Sequence, residues 1–308
     1  MINSKNHNKN IITRRDFLKG ATYSTLGITL GLNKIKLLAQ SAKKEVPFSA
    51  EKPLSKVVLI RNEGVIDQKN KINNDILTDM IDKAIMAFSG ETNITTSWRK
   101  YVGPEDIIGI KFTHCEWMRV HTEMPVIDII KKRISESGIP KSKIHTEDYG
   151  LPIKKCTALI NVPSVKVHSL TGIAASIKNY INFTNNPSDY HHEKSTNLGG
   201  IWLKTHVKGK TRLIIVDLLR PYFGPGPQIN PLHRWQYKGI LVGTDPVAID
   251  TVCTTICQRK RNLFKGEEWP ISPPPMSIAT ADTKYKLGIS DPFKIKLDRL
   301  GWEKDILV

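Results

Sequence analysis

Apolar positions along the chain follow two rhythms. Short runs rich in Val, Ile and Leu alternate with longer stretches where apolar residues recur every three or four positions. The short runs read as strands: "KVVLIR" (Lys56–Arg61), "DIIGIKF" (Asp106–Phe112), "SKIHTED" (Ser142–Asp148), "CTALINV" (Cys156–Val162), "TRLIIVDLL" (Thr211–Leu219) and "KGILVG" (Lys238–Gly243). Between them, Ile76, Leu77, Met80, Ile81, Ala84, Ile85 and Phe88 share a helical face behind Asn73 or Asn74 as a cap. "MPVIDIIKKRISESG" predicts an amphipathic helix ending at Gly138, and a further helix is expected over about Gly172–Tyr180. "TDPVAIDTVCTTICQR" opens a helix with Asp245 as N-cap and Pro246 at the first helical position. A last helical segment follows the loop "ISPPPM" (Ile271–Met276). Strands alternating with helices predict an α/β fold, with a largely parallel or mixed sheet flanked by helices.

The first forty residues break this pattern. "TRRDFLKG" (Thr13–Gly20) follows a polar start and precedes a moderately apolar stretch, Ala21–Leu32. Small residues at Ala39, Ser41 and Ala42 then offer a cleavage site, without fixing the bond cut. The segment resembles a twin-arginine export signal, with paired Arg14 and Arg15 before Phe-Leu-Lys. That resemblance implies the twin-arginine translocation machinery as a partner and the periplasm as destination. Cargo of that route crosses the membrane folded, often because a cofactor is inserted first. The stretch is too short and polar for a stable transmembrane helix, and no later run approaches the ~20 apolar residues a span requires. Residues 1–42 are therefore set aside as a signal peptide, residues 43–55 as a linker, and residues 56–308 as a single α/β domain.

Composition sharpens the ligand class. The 308-residue chain carries a formal charge of +17. Residues 1–42 hold seven Lys/Arg and one Asp, so the remainder carries +11. Such a surplus favours anionic partners, whether acidic metabolites, phosphates, anionic lipid or nucleic acid, the alternative being a generally basic, solvated surface. No basic-aromatic module or zinc-finger spacing points to nucleic acid. Of the four cysteines, Cys253 and Cys257 lie one helical turn apart, but neither a C-x-x-C nor an iron–sulfur cluster motif occurs. Buried small hydrophobes are the expected role.

Three polar groupings fall where strands lead into helices, the edge at which open α/β sheets bind ligands. In "VPSVKVHSLTGIAASIKN" (Val162–Asn179), an extended Ser164–His168 points Lys166 and His168 to one face. Thr171 is placed to cap the expected helix, with Lys178 two turns on and Asn179 beside it. The alternative is a solvent-facing basic loop. In "DYHHEKSTNLGG", His191 and His192 are candidate metal ligands or an acid/base pair, the alternative being a surface pair. In the third grouping, Asp217 ends a strand, Asp245 opens a helix, and Asp250 is a carboxylate inside an apolar helix that needs a partner if buried. The "YFGPGPQ" loop (Tyr222–Gln228) lacks a G-x-G-x-x-G or Walker pattern, so no nucleotide is assigned. If the strands run parallel, the carboxyl end of "GILVG" brings Asp245 to the pocket of Lys166, His168, Lys178 and Asn179.

"NVPSVKVHSLTGIAASIKN", "YHH", "LIIVDLL" with "GPGP", and "GILVGTDPVAID", in this order, resemble the domain of unknown function 362 family over roughly residues 56–260. The resemblance implies an α/β domain, in some members joined to ferredoxin-like cysteine clusters, which this chain lacks. The reading that follows is an exported enzyme acting on a small acidic or phosphate-bearing substrate. Lys166 and His168 are its catalytic candidates, and Lys178, Asn179, Thr171 and Asp245 bind substrate. A divalent metal on His191, His192 and Asp217 is the candidate cofactor. The rival is a non-catalytic periplasmic ligand-binding or cofactor-carrier protein.

Overall fold

The computed structural model describes residues 55–114, 120–226 and 229–308. The export-signal segment, nearly all of the linker and Cys115 lie outside the described residues. Nine strands form one mixed, mostly parallel sheet flanked by helices: β1 (Ser55–Arg61), β2 (Ile108–Phe112), β3 (Ile144–Glu147), β4 (Ala158–Val162), β5 (Ser164–His168), β6 (Gly172–Ala174), β7 (Thr211–Tyr222), β8 (Gly239–Gly243) and β9 (Ile295–Gly301). The order across the sheet is β3-β2-β4-β7-β8-β1-β9. Along it, β8 alone runs against its neighbours β7 and β1, and the other pairs are parallel. β4 pairs with the first half of the long β7 and β5 with its second half, so Pro163 interrupts what is nearly one strand.

Both faces of the sheet are covered, which is why its central strands are apolar at most positions rather than at alternate ones, with Lys111, Asn161 and Asp217 as buried polar exceptions. Val58 and Ile60 of β1 pack with Ile215 and Val242 toward one layer, α1 (Asn74–Ser89), α2 (Ile94–Arg99) and α3 (Met124–Glu136). Val57 and Leu59 pack with Ile214, Val216 and Leu241 toward the other, which includes α4 (Pro246–Lys265) and α5 (Met276–Thr283). The caps are those the sequence offers. Asn73 accepts hydrogen bonds from the Asp75 and Ile76 N–H groups, and Asp245 accepts from Val247 and Ala248. Cys156, Cys253 and Cys257 are free and buried. No helix among the described residues is long and apolar enough to cross a membrane.

Two elements depart from the expected pattern. The helix expected over about Gly172–Tyr180 is instead the short strand β6, hairpinned antiparallel onto β5, followed by a 3-10 turn at Lys178–Phe183. Gly172 has φ +76°, and a Cβ there would lie 2.4 Å from the Pro273 carbonyl oxygen. Only glycine fits this tight reversal against a neighbouring backbone. β9 is an edge strand with half-exposed side chains, so its apolar signal is weak.

Candidate functional site

At the carboxyl ends of β2, β3 and β5 the sheet opens into a cavity of about 260 Å³. β5 extends from Ser164 to His168, and its period-two alternation turns both Lys166 and His168 toward the cavity. The β5–β6 hairpin returns the chain, and the 3-10 turn supplies Lys178. A second turn, Pro187–Tyr190, carries His191 into the cavity lining. The His168 and His191 rings stack almost parallel, with centroids 5.7 Å apart and 4° between planes.

These charges act on one another. Burial, then Lys178, Lys166 and His191, push the His168 pKa down to about 3. Burial, then Lys178 and His192, push that of His191 down to about 4. Both rings are therefore neutral at pH 7. His168 Nδ1 accepts the Leu170 N–H at 3.1 Å, which leaves Nε2 as the protonated nitrogen of the neutral ring. His191 Nε2 is buried with no hydrogen-bond partner among the described residues. Two neutral imidazoles beside two ammonium groups can exchange a proton with an anion once it lowers the local potential.

A buried polar network, missed by sequence reasoning, forms the floor. Lys111 of β2 is 1% exposed and pairs with Asp148, which follows β3. Asp148 also accepts from the His114 N–H at 2.7 Å and from Asn182 Nδ2 at 3.0 Å. Burial lowers the Lys111 pKa, and Asp148 counters that. The signal was a lysine inside the apolar run "DIIGIKF". Thr113, His114 and Asp148 line the cavity alongside the predicted residues.

Asn179 lies in this cavity wall, but its amide is fully engaged within the protein. Its Nδ2 donates to the Lys111 carbonyl at 3.1 Å and to Asn161 Oδ1 at 2.7 Å. Its Oδ1 accepts from Thr113 Oγ1 at 3.0 Å and from Lys111 Nζ at 3.4 Å. That fills its hydrogen-bonding capacity, so Asn179 positions the wall. Asp250 is the partnered buried carboxylate the sequence demanded. It accepts the Ser176 N–H at 2.7 Å and the Ile177 N–H at 3.0 Å, fixing the backbone just before Lys178.

Four predicted residues lie elsewhere. Thr171 is buried in the β5–β6 turn, where its hydroxyl donates to the Ile173 carbonyl; no helix starts there for it to cap. Asp245 does not line the cavity, because β8 runs antiparallel to β7. Gly243, at the end of β8, pairs with Ile214 and Val57, near the starts of β7 and β1. Asp245 thus sits at the opposite edge, capping α4 and accepting the Ile289 N–H at 2.9 Å. Asp217 is buried, and its oxygens accept the N–H groups of Glu123 (2.7 Å) and Leu219 (2.8 Å). Burial raises its pKa to about 7. His192 is exposed at the start of a 3-10 turn. His191, His192 and Asp217 therefore do not meet, and no group of three His, Cys, Asp or Glu among the described residues is placed to hold a metal ion.

No curated protein and no solved structure matches the chain. Residues 112–255 do match a family model, described as "Domain of unknown function (DUF362)", over a shorter stretch than the resemblance first suggested. That stretch holds Lys166, His168, Lys178 and His191, and the match supports the likeness of this chain to the domain of unknown function 362 family.

Proposed function

We propose that the cavity binds a small acidic or phosphate-bearing substrate and performs proton transfer on it, making the protein an enzyme. The observation that carries this reading is the meeting of Lys166 and Lys178 with two stacked, neutral histidines in one recess. Lys166 and Lys178 hold the anionic group. His168, with Nδ1 engaged by Leu170 and Nε2 carrying the proton, donates a hydrogen bond that orients the anion, and His191 Nε2 accepts or relays a proton. An arriving anion offsets the lysine charge, which raises both imidazole pKa values toward the operating pH. Export by the twin-arginine route, proposed from Arg14 and Arg15, places the activity in the periplasm.

The test is native purification, release of bound small molecules by denaturation, and their identification by mass spectrometry. An acid or phosphoester retained by the wild type and lost from Lys178→Ala is expected, and it is converted when incubated with fresh protein. A retained neutral molecule contradicts the anion site. A retained anion that is never converted assigns the protein to the carrier class.

A further inference from the structure

A second cavity, of about 710 Å³, is lined by Lys71, His121, Glu123, Arg220 and Arg234 among others. Two guanidinium groups converge there on one carboxylate oxygen: Arg220 Nη1 lies 2.5 Å and Arg234 Nη2 3.3 Å from Glu123 Oε1. Arg220 is locked in place. Its Nε donates to Asn70 Oδ1 at 3.2 Å and its Nη2 to the Asn70 carbonyl at 2.7 Å. Arg234 is the more open of the two, with a 34% exposed side chain. Arg220 is fixed and Arg234 is open, and the guanidinium N–H groups that Glu123 and Asn70 do not use suit the oxygens of a carboxylate or phosphate.

The two cavities adjoin at a histidine stack. His114 lines the first and His121 the second. Their rings are stacked, with centroids 4.7 Å apart and 21° between planes. His121 stands within electrostatic reach of both Lys166, in the first cavity, and Arg234, in the second. Burial first, then His114, Lys166 and Arg234, lower its pKa and keep the ring neutral. Cationic groups in each of two cavities joined at an aromatic stack are the arrangement that an elongated, doubly anionic molecule would fill.

We infer that the two cavities are halves of one binding site, for a small molecule with two anionic groups joined by an uncharged spacer. One group sits at Lys166 and Lys178, the other at Arg220 and Arg234, and the spacer passes the His114–His121 stack. The inference rests on reading the first cavity as an anion site. Linking the two groups makes the second contact intramolecular, so affinity peaks at the spacer length that matches the span.

The probes are methylphosphonate and a series of α,ω-alkane bisphosphonates, titrated calorimetrically into the full chain. Wild type is expected to bind one bisphosphonate at least ~100-fold more tightly than methylphosphonate, with affinity falling for shorter and longer spacers. Arg234→Gln and Lys178→Gln should each abolish that length optimum. Lys71→Ala, at an exposed position, serves as a second variant for the Arg side and should weaken the best bisphosphonate several-fold. Unchanged thermal unfolding of the variants assigns these losses to the ligand. Length-independent affinity that still depends on Lys178 overturns the composite site and leaves the single anion site standing. Binding that is absent, or indifferent to Lys178, removes the first-cavity reading and the inference with it.

Discussion

At the scale of single residues, the pKa of His168 gives a stability signature. Folding lowers that pKa from about 6.5 to about 3, so the unfolded chain binds a proton there that the native state refuses. The stability held above pH 6.5 is therefore lost as pH falls from about 6.5 toward 3, by at most about 1.4 kcal/mol per pH unit for this proton. Asp217 and Asp250, both raised to about 7 by burial, act with opposite sign: their contribution is greatest at low pH and is lost as pH rises from about 4 to 7. The informative quantity is thus the difference between wild type and His168→Gln in denaturant unfolding across this range. The variant is expected to lose less stability on acidification, and parallel profiles would contradict the assignment. Lys111 makes a second case. Replacing it with Met strands Asp148 without its buried cation and is expected to cost about 3–5 kcal/mol, measured by urea unfolding at pH 7. Lys166 and His168 were legible because period-two alternation fixes which side chains share a face. The Asn179 role was not, because partners 18 to 68 positions away consume its amide.

Strand direction and turn geometry decided what could be read of the elements. The amphipathic helices and apolar strands were plain from their periods. The order in which strands pair, and the reversal of β8, depend on long-range contacts that leave no local trace, so Asp245 was expected at the wrong edge. The segment after Thr171 has helix-compatible residues, and Gly172 could equally open a helix or close a hairpin; packing against Pro273–Pro275 selects the hairpin. Gly172→Ala should accordingly destabilise the protein, through both the positive φ and a clash with rigid backbone, by about 1 kcal/mol or more. Thermal unfolding reads this directly, and an unchanged midpoint would contradict the packing. Asp250 ties α4 to the segment that presents Lys178. Asp250→Ala leaves two buried N–H groups without acceptors, at about 1–3 kcal/mol each. The same variant should weaken anion binding, and Asp250→Asn should restore part of both losses; binding that survives Asp250→Ala intact would remove Asp250 from the positioning of the site.

Over the described residues, the fold is a mixed sheet between two helical layers, with the candidate cavity at the carboxyl ends of β2, β3 and β5. The proposed export belongs to this scale, since a twin-arginine signal acts on folded cargo. Replacing Arg14 and Arg15 with Lys is expected to hold the protein in the cytoplasm, as read by fractionation and immunoblotting; unchanged periplasmic yield would overturn that proposal. The central claim is that the recess of Lys166, Lys178, His168 and His191 receives a small anion. Its most direct test is an NMR titration of the histidine Cε1–H resonances over pH 3–8, with and without sulfate, an anion that does not itself titrate there. His168 assigned by comparison with His168→Gln should titrate well below the ordinary histidine range in the free protein, and sulfate should move it upward by a pH unit or more. A His168 pKa near 6.5 that sulfate leaves unchanged would contradict the account.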